Sequence, residues 1–289
     1  MSAATPLSAP VDLQGARLRF TGLLRSEWIK LRSVRSTMWC YGIMIVLSVG
    51  FGVLLAAAGS FGDGGQVTAE AQNSIVVRVA TFSVNFTQLI AAVLGVLVIS
   101  GEYGTGMIRS TMTAAPRRTG AYLAKGLVLG VVTFVVGLVS IGLTLAAATP
   151  ILSGQGVEPH LADGGVWLAL IGGAGYLALI ALLAYAFGAV VRSSAGGIAC
   201  IVGLLLVVPT VMQMAAALAN MTWLLNASKF LPSSAGAPLF HYPLSDTLWG
   251  SVGNDGLVSV TTFEGLVVTV IWVLAVGLLG AVLIKRRDV

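Results

Sequence analysis

Charge is what this sequence has least of. Only 9% of its 289 residues are Asp, Glu, Lys or Arg and 57% are hydrophobic, whereas a soluble domain carries roughly 25% charged residues. That ratio excludes a water-soluble globule, and with it the habit of counting domains by dividing length by ~150 residues. Cysteine and histidine are just as sparse, at two each. Cys40 and Cys200 fall within long apolar runs, far from His160 and His241, which argues against a disulfide framework and against a Cys/His metal site. Lys30, Lys125, Lys229 and Lys285 follow Ile29, Ala124, Ser228 and Ile284, whereas a phosphate-binding Walker loop needs a glycine before its lysine. The chain therefore has no such ATP site. It also has no HExxH pair, no GxSxG elbow on a strand-to-helix turn and no catalytic dyad at convincing spacing, so intramembrane enzyme chemistry finds no support.

What the sequence has instead is long uncharged stretches. Six of them reach 20 residues, at 36–62, 79–101, 126–157, 164–191, 193–228 and 265–284. The next longest, 230–245, has 16 residues and contains Pro232, Pro238 and Pro243. A helix needs about 20 residues to cross a ~30 Å hydrocarbon core, which predicts spans near 38–58, 79–100, 127–148, 166–190, 197–218 and 265–284. The runs lack the alternation of a membrane barrel, and isolated strands cannot satisfy their backbone groups in lipid. The expected fold is an all-α polytopic membrane protein with six transmembrane helices. Internal repeats and intramembrane carboxylates or histidines are missing, which disfavours inverted-repeat carriers and ion-coupled pumps.

Orientation follows from the basic residues, which resist translocation near span ends. Fourteen of the 16 Lys and Arg fall on one side, with four carboxylates; the other side holds Arg78 and Lys229 against seven carboxylates. The first side is expected to be the cytoplasm, with both termini there, in a bacterial plasma membrane. The pI near 9.5 then reports membrane boundaries and anionic lipid rather than nucleic acid. Residues 1–15 hold no Lys or Arg and no apolar run, so they read as a disordered tail and not as a signal or transit peptide.

Three segments carry the remaining information. In residues 16–37, Leu24, Trp28 and Leu31 recur at helical spacing, flanked by Arg25, Lys30, Arg32 and Arg35. This predicts an interfacial helix whose stripe lies at the acyl boundary while Lys and Arg snorkel to phosphates. Residues 101–126 are too long for a tight turn; a Gly-rich start, the MIRSTMTA stretch and Pro116 suggest a short surface helix. Its Glu102, Arg109, Arg117 and Arg118 are expected to present charge to a cytosolic partner. The connection 219–264 has 46 residues, among them Trp223, Trp249 and three prolines, and loops that long are usually functional or disordered. Pro209 predicts a kink in the fifth span just before it.

Together SEWIKLRSVRST before the first span, the pattern E-Y-x-x-G-x-x-R from Glu102 to Arg109 with Pro116, Arg118 and Lys125 downstream, and LPSSAG at 231–236 resemble bacterial ABC-2 family permeases. The resemblance covers nearly the whole chain. It implies the transmembrane half of a type V-like ABC exporter, with 16–37 as connecting helix and the 101–126 loop as coupling element for a separate ATPase subunit. ATP and Mg would sit on that partner, leaving no cofactor and no enzymatic role on this chain. The carried-over coupling positions are Glu102, Tyr103, Gly106, Arg109, Pro116, Arg118 and Lys125. The family further implies two permease copies, here expected to be a homodimer, enclosing a cavity between second and fifth spans. Phe82, Asn85, Phe86, Gln88, Met212 and Gln213 are its candidate lining and suit a hydrophobic or amphipathic cargo. Asn and Gln serve equally well as interhelical hydrogen-bond glue. Gly172, Gly173 and Gly175 allow close helix approach, within one chain or between two. A stand-alone channel or membrane scaffold without ATP coupling is the alternative.

Overall fold

The computed structural model describes residues 20–59, 68–104, 118–243 and 258–286. All regular structure among them is helical. Helix α1 (Phe20–Ser33) meets α2 (Arg35–Ala58) at Val34, whose backbone is extended. Next come α3 (Ala69–Thr81) and α4 (Val84–Gly104), nearly one rod, then α5 (Arg118–Ser153) and α6 (Gly164–Val191). The fifth crossing is composite, with α7 (Ser194–Val202), a π turn (Gly203–Val207) and α8 (Val208–Ala219). Two short helices, α9 (Thr222–Ser228) and α10 (Pro232–Gly236), and a 3₁₀ turn (Ala237–Phe240) precede the last crossing, α11 (Thr262–Arg286).

Among the described residues six helical stretches are long and apolar enough to cross a membrane, namely Arg35–Ala58, Ala69–Gly104, Thr119–Ser153, Gly164–Val191, Ser194–Ala219 and Thr262–Arg286. They overlap the six uncharged runs and reach beyond the expected spans at every end but Ala58. The excess is largest at the start of the second stretch, which begins at Ala69 rather than 79; around the expected 101–126 loop α4 continues to Gly104 and α5 begins at Arg118. Residues 105–117 lie outside the described residues, as does the expected tail 1–15.

Local chemistry sets the breaks between these rods. Thr68 caps α3 by accepting from the Ala71 amide, and Asp163 caps α6 by accepting from the Gly165 amide at 2.8 Å, which satisfies otherwise orphaned donors. Arg192 ends α6 in a left-handed conformation (φ 59°), and Asn220 does the same for α8 (φ 51°). Pro209 has no N–H to return to the preceding turn, and the helix widens into the π turn directly before it, as the proline predicts.

Helix α6 occupies the centre and packs on α4, α5 and α11. Its approach to α4 depends on Gly95, where a Cβ would stand 2.2 Å from the Ala181 carbonyl oxygen. Small residues allow this closeness in a membrane, where dispersion replaces the hydrophobic drive. At Gly172 a Cβ would stand 1.9 Å from the Leu239 oxygen, while Gly175 meets nothing within 4 Å. Gly172 thus serves contact within one chain, between α6 and the 3₁₀ turn. A polar seam joins α2 to its neighbours through Tyr41–Thr133 at 2.8 Å and Ser48–Ser83 at 2.7 Å.

Candidate functional site

Where α1 crosses the end of the bundle, four charged side chains from three helices converge. Helix α1 turns Glu27 inward, the one residue of that helix that is fully buried. Lys30, one turn on, donates to Glu27 Oε1 at 2.9 Å and to Glu102 Oε1 at 3.2 Å. Lys125 closes the cluster, 2.8 Å from Glu27 Oε2 and 2.5 Å from Glu102 Oε1. Glu102 is in place because α4 overruns its uncharged run, and Lys125 because α5 starts two turns before it. The 105–117 segment therefore leaves from one member of an ion pair and returns toward the other.

Glu27, Glu102 and Lys125 are only 5%, 9% and 6% exposed, and buried charges persist only when paired and hydrogen-bonded. Two carboxylates and two ammonium groups make the cluster neutral. Burial alone would push the Glu27 carboxyl up, but Lys125 and Lys30 outweigh it and hold the carboxyl below its ordinary 4.5. Burial would likewise lower Lys30, yet Glu27 and Glu102 hold its ammonium above 10.5. Beside the cluster lies a cleft of about 480 Å³ between the α1–α2 elbow, the last turns of α4 and the start of α5.

These positions differ from the expected ones in physical detail. Glu102 does not offer its charge to solvent, because Lys125 and Lys30 hold it inside. Lys30 pairs with carboxylates rather than snorkelling to phosphate. Trp28 stays exposed, and Leu24 and Leu31 are half-buried, so the inward face of α1 centres on Glu27. Sequence reasoning passed over Glu27, although it is the only carboxylate between Asp12 and Asp63 and sits in a strongly basic helix. Tyr103 lies beneath the Arg192 guanidinium, 5.3 Å from ring centroid to Cζ. Gly106, Arg109 and Pro116 lie outside the described residues, as does the Arg118 side chain.

The candidate cargo contacts separate into two sets. Phe82, Phe86 and Phe51 of α2 form an aromatic cluster, with Phe51 and Phe86 stacked at 4.6 Å. Asn85 and Phe86 are exposed. Gln88 faces the protein interior, where it accepts from the Tyr176 hydroxyl at 2.5 Å; it is interhelical glue. Met212 is half-buried and Gln213 exposed on α8, whereas α4 packs against α7, the earlier part of the fifth crossing.

A second polar tie closes the opposite end. Asn73 of α3 donates to Asp163 Oδ2 at 3.0 Å and accepts from the His160 amide at 3.0 Å, and the Tyr242 hydroxyl donates to the same Asp163 oxygen. The Tyr242 hydrogen bond, with help from the Gly165 amide, holds the Asp163 carboxyl below its ordinary value. Among the described residues no group of His, Cys, Asp and Glu could hold a metal ion.

A family model described as ABC-2 family transporter protein matches residues 23–210, from the first turn of α1 to the start of α8. No curated protein matches the chain.

Proposed function

The chain belongs to the ABC-2 family of transporter membrane proteins, as a permease without ATPase activity of its own, and on that premise we propose that it is one half of an exporter for a hydrophobic or amphipathic substrate. A separate ATP-binding subunit, carrying ATP and Mg, docks on the loop between α4 and α5 from the cytoplasm of a bacterial cell. Both chain termini face that side, and two copies of the chain form the transport path. The observation that carries this reading is the buried ion cluster at the root of the loop. A push on a flexible loop dissipates locally, but here both loop ends and α1 are joined through four charges, so the three move as one body. In a dimer, the exposed Asn85 and Phe86 of α4 and Gln213 of α8 line a cavity whose polarity suits an uncharged or amphipathic cargo. Gln88 is not part of that wall.

The test is to purify the tagged chain in mild detergent from its native membrane and identify its stoichiometric partners. A Walker-lysine ATPase is expected, and its activity is expected to fall in Glu27→Gln and Arg109→Ala variants that still assemble. Recovery without any nucleotide-hydrolysing partner would overturn the exporter reading in favour of a channel or scaffold.

A further inference from the structure

The cleft beside the ion cluster is more than coupling requires. Its volume of about 480 Å³ falls in the range of pockets that enclose small ligands. Apolar side chains form its walls: Leu94, Leu97 and Val98 of α4, Val128 of α5, and Leu31 and Val34 at the elbow. From Leu94 to Gly101 the α4 wall rises about 10 Å at 1.5 Å per residue, a depth that takes hydrocarbon and offers a soluble ion nothing. The elbow beside it has the opposite character, although its arginines are neighbours of the lining residues rather than part of the lining. Glu27 and Glu102 are already neutralised by Lys125 and Lys30. What is left over is positive: Arg35 is exposed between the lining residues Val34 and Ser36, and Arg32 is exposed one turn before.

We propose that the cleft binds one anionic phospholipid from the leaflet that surrounds α1, with an acyl chain along Leu94, Leu97 and Val98 and its phosphate at the elbow beside Arg35 and Ser36. An apolar wall under a basic rim matches such a lipid and neither half of it alone. Binding is independent of transport, so this proposal and the exporter reading fail separately.

The experiment uses the full chain in mild detergent, offered equal amounts of phosphatidylglycerol and phosphatidylcholine, with retained lipid counted by native mass spectrometry. One phosphatidylglycerol per chain is expected, in preference to phosphatidylcholine. Arg35→Gln is expected to lower its retention about fivefold, the contribution of one basic residue near a membrane surface. Val98→Trp, which fills the cleft, is expected to abolish retention, while Leu218→Trp on the exposed face of α8 leaves it intact. If Val98→Trp does not give a folded, monodisperse protein, Leu97→Phe takes its place. Equal retention of phosphatidylcholine, unchanged retention in the cleft-filling variant, or displacement of the lipid by glycerol phosphate would each overturn the proposal.

Discussion

The two ends of the molecule solve the same problem with different chemistry. At one end α1 is held to the bundle by four formal charges, three of them on nearly buried residues. At the other, the segment after the 3₁₀ turn is held through Tyr242 to a single carboxylate, Asp163, that neutral donors also share at a half-exposed position. The difference lies in what remains when one member is lost. A neutral donor leaves a polar group that water reaches, whereas a lost ammonium leaves like charges facing each other in a poor dielectric. The charged end therefore depends steeply on its buried ammonium, Lys125, whereas the neutral end gives way by degrees.

The sharpest way to break the comparison is Lys125→Met, which strands Glu27 and Glu102 together. It is expected to cost about 3–5 kcal/mol, the usual penalty for removing one partner of a buried pair, measured by denaturant titration in mixed micelles. A loss below ~1 kcal/mol would mean that water reaches the cluster and the two ends are alike. Next is Glu27→Gln combined with Lys125→Met. The double variant is expected to lose less than the sum of the single ones, by about 1–3 kcal/mol of coupling, and strict additivity would show that the two side chains act separately. At the opposite end, Asn73→Ala removes neutral hydrogen bonds and is expected to cost about 1–3 kcal/mol without altering any stimulated ATPase activity. Lys30→Gln should have the smallest effect at the charged end, about 1 kcal/mol or less, because a partly exposed ion pair is screened by solvent.

Titration sharpens the contrast further. The Glu27 carboxyl is held below 4.5, so its stabilisation is present above that value and disappears as pH falls through the depressed one. The Lys30 ammonium is held above 10.5, so its share is present below that value and disappears as pH rises through the elevated one. Between these limits both contributions are present. Melting followed against pH is expected to show an acid limb that Glu27→Gln flattens. An acid limb unchanged in that variant would move the sensitivity elsewhere, with Asp163, also held low, the first residue to examine.

Much of this architecture was legible before any coordinates. Uncharged runs located all six crossings, and Pro209 marked the irregularity that became a π turn. Glu102 and Lys125 also stood out, as positions flanking a loop, but their burial and pairing did not. Counting charges by side assigned Glu102, Lys125 and Lys30 to solvent or headgroups, whereas α4 and α5, which overrun their uncharged runs, carry Glu102 and Lys125 inward to where α1 brings Lys30. Glu27 was missed for the same reason, since an apolar stripe analysis ignores a lone carboxylate among basic residues. Gln88 and Asn85 illustrate the limit on the other side. They lie three residues apart on α4, yet one meets Tyr176 and the other is exposed.

Crossing number and span position are written in composition, because lipid rejects charge and demands saturated backbone hydrogen bonds over a set length. Partnership among the few charges is not, since it depends on how far each helix overruns its apolar run and on the angle at which α1 meets the bundle. Those are outcomes of packing between helices distant in sequence, and they turned four scattered boundary residues into one neutral, buried cluster.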